Sequence, residues 1–163
     1  MSDANLSPSS ALAPLSQALS HSPAPFEFPV RMYWEDTDAG GIVYHARYLH
    51  FFERARTEWL RHMGLEQQQI KLATGGMFVV QSLQIRYASP AYLDDLLITR
   101  TVLTQLGKAS CTLQQTAVRE TDQTLLADFN VRLGYVNSTN AQLMRLPNLL
   151  YEKLQGKLAY TPE

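Results

Sequence analysis

The sequence predicts an α+β fold in which an antiparallel five-stranded sheet wraps around one long central helix. Three observations lead there. A single strongly amphipathic helical stretch lies near the front of the chain, one strand-like run precedes it, and four more follow it with no second long helix between them.

The elements can be justified in order. Residues 1–25 are rich in Ser, Ala and Pro, carry Asp3 as their one charged side chain, and hold Pro8, Pro14, Pro23 and Pro25, which break helices. They have neither a basic leader nor an unbroken apolar segment, so the expectation is a disordered tail rather than a signal peptide. The folded domain is expected over 26–163. Phe28 to Trp34 alternates as a strand does. From Ala46 to about Met63, the residues Tyr48, Leu49, Phe51, Phe52, Ala55, Trp59, Leu60 and Met63 recur at three-and-four spacing and draw one wide apolar face. On its polar side, Arg54 with Glu58 and Glu53 with Arg56 read as ordinary intrahelical ion pairs. Gly64 suits a left-handed stop.

Leu65 to Thr74 reads as a short helix or loop ending at Gly75-Gly76. Four strands are then expected at Met77–Ala88, Asp94–Leu106, Ser110–Glu120 and Thr124–Asn137. In the last of these, Leu125, Ala127, Phe129, Val131, Leu133 and Tyr135 alternate against Asp128, Asn130 and Arg132. The short joining turns suggest a four-stranded meander. Leu146 to Leu158 reads as a closing helix with Pro147 in its first turn. A sheet of this kind has open edges, so two subunits are expected to pair edge to edge.

Composition narrows the function classes. The chain has 163 residues, 45% of them hydrophobic, and a net charge of -1, enough for one good core and without the basic bias of a nucleic-acid binder. One cysteine, Cys111, excludes an intrachain disulfide and points to a reducing cytoplasm. No apolar run approaches the ~18–20 residues of a membrane span.

The chemistry-bearing stretch precedes the long helix. No Ser, Thr, Asp or Asn stands immediately before Ala46 to cap the helix, and unused N-terminal amides can receive an anion or a developing oxyanion. Asp36 and Asp38 lie just upstream, and Gly40-Gly41 allows the chain to fold them back over those amides. Asp36 reads mainly as a turn-fixing acceptor; Asp38 fits either a turn or a catalytic carboxylate.

Competing chemistries fail on spacing. A calcium loop starting at Asp36 would need its bidentate acid where Arg47 stands. His45 and His50 are five apart and do not pair on a helix as zinc ligands; His21 and His62 have no ligand cluster nearby. Glu53 reads as an ion-pair partner, and Cys111 as a small buried hydrophobe. No G-x-S-x-G elbow, Gly-rich phosphate loop or dinucleotide fingerprint occurs.

The stretch E-D-T-D-A-G-G-I-V-Y-H-A-R-Y from Glu35, followed by F-F-E-R-A-R-T-E-W-L from Phe51, resembles the signature of hotdog-fold acyl-CoA thioesterases of the YbgC and 4-hydroxybenzoyl-CoA thioesterase type. R-Y-A-S-P-A-Y-L-D-D-L-L from Arg86 continues the resemblance, which covers about Phe28 to Leu150. It implies a hotdog fold, a homodimer or homotetramer with active sites at the dimer interface, and cofactor-free, metal-free hydrolysis of short-chain aliphatic or aromatic acyl-CoA. Carried over by position, Asp38 is the nucleophile or general base, and the region of Tyr44 and His45 marks the helix start that polarises the thioester carbonyl. The His45 side chain would orient water or assist the thiolate.

Lys108 and Arg145 stand where the resemblance places basic contacts to coenzyme A, against the plainer interpretation of solvated surface charges. The acyl pocket is expected along the helix face and Met77, Phe78 and Val79. The alternative function is a non-catalytic hotdog module that binds acyl-CoA or acyl carrier protein in a cell-envelope or lipid-synthesis complex. The presence of Asp38, Gly40-Gly41 and His45 favours the enzyme, and a hotdog hydratase lacks support because its usual His-and-Asp pattern is missing.

Overall fold

The computed structural model describes residues 23–159, so most of the expected tail lies outside the described residues. Strand β1 (Phe26–Arg31) is followed by a single 3-10 turn at Trp34–Asp36, helix α1 (Arg47–His62) and the short helix α2 (Gln67–Thr74). Strands β2 (Gly76–Tyr87), β3 (Leu96–Leu106), β4 (Ser110–Arg119) and β5 (Leu125–Asn137) come next, and α3 (Asn148–Gln155) ends the series. The five strands form one antiparallel sheet in the order β1-β3-β4-β5-β2, with α1 laid across one face.

The expected meander is therefore corrected. β3, β4 and β5 do run as consecutive hairpins, but β2 pairs with β5 and not with β3. The reason lies in the connection from Ala88 to Asp95, which is no tight turn. It passes the start of α1, where the Ala91 carbonyl accepts the Val43 amide at 2.9 Å, and delivers the chain beside β1, where the Asp95 carbonyl accepts the Met32 amide at 2.9 Å. β1 and β2 thus become the two edges, and the helix between them in sequence spans the face between them in space.

Alternation sorts the sheet as the sequence suggests. Phe129, Val131, Leu113, Leu103 and Leu97 face α1 and are at most 1% exposed, while Gln84, Gln114 and Asn130 on the other face meet solvent. Helix α1 buries Tyr48, Phe51, Phe52, Ala55, Trp59 and Leu60. Each large apolar side chain so buried contributes about 1.5–3 kcal/mol. Phe52 stacks on Phe129 with ring centroids 4.8 Å apart. Leu49, expected on that face, sits at its margin and stays 36% exposed. Glu58 pairs with Arg61 rather than with Arg54. At the other end of α1, Gly64 adopts φ 71°, the left-handed stop its position suggested. The closing helix is shorter than expected, because Pro147 stands at its N-cap and the chain after Gly156 forms a bridge from Leu158 to Leu103.

Under the helix lies a polar device that periodicity did not reveal. Arg56 pairs with Glu53 as expected, yet it is 5% exposed, on the buried side. Its guanidinium donates to Gln115 Oε1 at 2.8 Å and lies 5.6 Å from the Phe129 ring centroid. The Gln115 amide nitrogen donates to the Phe52 carbonyl at 3.1 Å and to Thr101 Oγ1 at 2.9 Å. One fully buried glutamine thereby ties β3 and β4 to one point along the helix.

Removing that amide leaves a buried cation short of an acceptor, and Gln115→Leu is expected to cost about 2–3 kcal/mol. Urea denaturation measures it. Adding Arg56→Met should recover most of the loss, because the orphaned charge goes with it; a single mutant as stable as the wild type would remove the network from the account of stability.

Candidate active site

The site is built by the segment that carries the chain from β1 to α1. Its anchor is Asp36, 2% exposed. One carboxylate oxygen accepts the Tyr33 amide at 2.9 Å, and the other accepts Arg47 Nε at 2.7 Å and Nη2 at 2.5 Å. The Asp36 carbonyl accepts the Tyr44 amide at 2.8 Å. Asp36 is thus the turn-fixing residue its position suggested, and its partner Arg47 is the first residue of the helix. An arginine there opposes the helix dipole, and the contact with Asp36 offsets that penalty.

Beyond Asp36 the chain makes a tight reversal. Thr37 bridges to Val43, the Asp38 amide donates to the Ile42 carbonyl at 3.0 Å, and the Gly41 amide donates to the Asp38 carbonyl at 3.0 Å. Gly41 holds φ +74°, the left-handed region that favours glycine. Gly40 lies so close to Asp38 that a Cβ would stand 3.0 Å from Oδ1. Its amide donates to that same oxygen at 2.7 Å, which fixes the carboxylate; no hydrogen bond from the described residues reaches Oδ2.

The helix start is open, as the lack of a capping residue suggested. Ala46 at the N-cap already has helical angles and makes no side-chain cap. The Arg47 amide turns back to the Tyr44 carbonyl at 2.9 Å and the Leu49 amide to the Ala46 carbonyl at 3.2 Å. The amides of His45 and Ala46 find no acceptor among the described residues.

Asp38 and His45 line the same cleft of about 510 Å³, together with Ile42, Val43, Tyr48, Tyr87 and the Ala88–Pro90 turn. Tyr48 forms the floor at 3% exposure, and burial, reinforced by the neighbouring Tyr87, pushes its phenol up to about 12. Burial also raises the Tyr87 phenol. Both therefore stay protonated at neutral pH and offer hydroxyls, not phenolates. Tyr87 spends its proton on the His45 carbonyl, at 2.8 Å.

The other expected residues fall in two groups. Tyr44 packs its ring on His45 at 4.5 Å and remains 43% exposed beside the cleft. Lys108 and Arg145 are neighbours of each other, since the amide of Leu146 donates to the Lys108 carbonyl at 2.8 Å. They stand at the far end of β3 from the cleft, which at ~3.3 Å per strand residue is on the order of 30 Å away within one chain. Phe78 and Val79, at the start of β2, line a separate cavity of about 40 Å³ beside Glu53 and Arg56. Cys111 is buried, and burial pushes its thiol up to about 12, so it is not a nucleophile. Among the described residues no acidic, histidine or cysteine cluster could hold a metal.

Tyr48, Tyr87 and Arg47 are the site members that sequence reasoning did not assign. Tyr48 counted only as helix-face bulk and Tyr87 only as a strand residue, because their meeting depends on which edge β2 takes. Arg47 entered only as the misfit of a calcium loop, where it already marked a cation facing Asp36.

Comparison with known proteins identifies the family. Residues 32–154 match the model of the thioesterase-like superfamily. The chain is 52% identical over 96 residues to the acyl-CoA thioesterase YbgC of Haemophilus influenzae, covering 59% of this chain and 71% of that protein. It is 43% identical over 122 residues to the acyl-CoA thioester hydrolase YbgC of Escherichia coli O6:H1, covering 75% and 90% respectively. A crystal structure of a probable thioesterase from Bartonella henselae superposes with a TM-score of 0.72 at 34% identity, covering 76% of this chain and all of that one. A family match over residues 32–154 and relatives 43–52% identical lead to one conclusion: the chain belongs to the thioesterase-like superfamily and is a thioester hydrolase of the YbgC type.

Proposed function

We propose that the substrate is an acyl-CoA carrying a short aliphatic or aromatic acyl group, and that Asp38 and the amides at the start of α1 carry out its hydrolysis. The observation that carries the proposal is that Asp38 and His45 line one cleft, Asp38 with one oxygen and His45 with an amide that find no hydrogen-bond partner among the described residues. A thioester carbonyl placed between them would have its carbon within reach of the carboxylate or of a water held by it, and its oxygen at the amides.

Two routes use this arrangement. Asp38 takes a proton from water as the hydroxide adds to the carbonyl carbon, or its oxygen adds directly to give a mixed anhydride that water then cleaves. In both, negative charge passes to the carbonyl oxygen at the His45 and Ala46 amides, the C–S bond breaks, and the coenzyme thiolate leaves and is protonated. The His45 imidazole, on the cleft wall, is placed to orient water or to supply that proton. The YbgC relatives support coenzyme A as the thiol carrier, since both named above are acyl-CoA hydrolases. The tyrosine-walled cleft of about 510 Å³ suits a compact acyl group.

We further infer that the working unit holds at least two copies joined along β2. That strand is an edge, and Val80 and Leu83 turn towards the same face as the core yet remain 46% and 44% exposed, because α1 does not reach over them. A second copy would cover them and supply a partner for the unpaired edge. Lys108 and Arg145, remote from the cleft in their own chain, would contact the coenzyme only as residues of another copy.

Asp38→Asn should lower kcat by about 10³-fold or more while leaving the folded state intact, because the amide keeps the shape and loses the base. Thiol release from a panel of acyl-CoA esters, together with a thermal melt, measures both; a folded mutant with wild-type turnover would remove Asp38 from the reaction. His45→Ala should reduce turnover by less, below about 10²-fold. Single turnover in ¹⁸O-water separates the two routes, because the anhydride route can leave label in the Asp38 carboxylate. Leu83→Glu should yield a monomer by light scattering if β2 is the joint, and an unchanged mass would place the joint elsewhere.

A further inference from the structure

We infer that Tyr87 is a positioning residue for the oxyanion hole: its hydroxyl holds the His45 carbonyl and thereby aims and polarises the Ala46 amide. The inference rests on the preceding proposal that the amides at the start of α1 receive the developing charge.

Tyr87 is the last residue of β2, and its ring packs edge-on against Tyr48 at 5.5 Å and against His45 at 6.2 Å. Its hydroxyl reaches across 42 positions of sequence to the His45 carbonyl at 2.8 Å. In a regular helix that carbonyl would take the Leu49 amide, but Leu49 donates to Ala46 instead, at 3.2 Å. The tightened first turn thus leaves the His45 carbonyl to the phenol.

The consequence follows from the planarity of the peptide unit. The His45 carbonyl and the Ala46 N–H belong to one rigid trans plane and point in opposite directions, so fixing the oxygen fixes the direction of the hydrogen. Donation to the carbonyl also draws electron density through the amide, which makes the Ala46 N–H a stronger donor. The Ala46 N–H has no acceptor among the described residues. The tyrosine ring supplies packing, while the hydroxyl sits on a side chain that is 44% exposed. Water can replace it as a partner for the carbonyl, and so preserve stability, but does not hold the plane in one orientation.

Tyr87→Phe tests this directly, since it keeps the ring and removes only the oxygen. Complete loss of an oxyanion donor costs ~10²–10³ in turnover, and a donor left in place but misaimed should cost about tenfold in kcat, with KM changed by less than about twofold. Two unreactive coenzyme A analogues give the second measurement: a ketone in which methylene replaces the thioester sulfur, and a thioether in which methylene replaces the carbonyl. The variant should bind the ketone several-fold more weakly and the thioether as the wild type does.

Unchanged kcat, or equal weakening of both analogues, would overturn the inference, the second outcome pointing to altered pocket shape. Asp38→Asn assayed alongside separates the two levels. If it abolishes turnover while Tyr87→Phe matches the wild type, only the role of Tyr87 fails; if it leaves turnover intact, the underlying proposal fails and takes this inference with it.

Discussion

The ion pair between Asp36 and Arg47 is the constraint on which the rest of the site depends. It closes the segment between β1 and α1 into a fixed loop, with a buried carboxylate at one end and the first helical residue at the other. Because the loop is held by this pair, the helix start needs no serine or aspartate cap, and its first amides stay open. Asp38, two residues on, is then presented to the cleft by the reversal through Gly40 and Gly41 instead of being consumed in holding the loop. The two aspartates divide the labour: one is buried and fully engaged, while the other is exposed and held by a single amide.

A second constraint acts along the helix axis. An apolar face alone would let α1 slide or rotate over the sheet at small penalty, since one aliphatic contact resembles another. The Gln115 hydrogen bonds to Arg56 and to the Phe52 carbonyl are directional and specify one position. That position sets where the helix start stands relative to Tyr87 at the end of β2. The buried network in the middle of the helix and the cleft at its beginning are thereby parts of one alignment.

Much of this was legible in the sequence, and what was missed has a physical pattern. Helix α1 and all five strands follow from periodicity and turn residues, which are local signals. The capless helix start and the anchoring role of Asp36 were readable for the same reason. The partner of β2 was not, because the segment from Ala88 to Asp95 looks like any proline-containing turn until its bonds to Val43 and Met32 are known. The oversight that follows from it concerns β2 as well: Tyr87, at the end of that strand, was passed over as a member of the site. Arg56 was read as a surface charge because a lone arginine on an apolar stripe gives no hint of a glutamine 59 positions away.

The uncapped start of α1 sets this helix against its own durability. A residue at position 46 able to accept from the first-turn amides would contribute about 1 kcal/mol, the ordinary gain of a good N-cap. It would also fill the space that the thioester oxygen is proposed to occupy. Selection for heat resistance and selection for turnover therefore pull this one position in opposite directions, and any hardening of the enzyme has to be sought elsewhere in the chain.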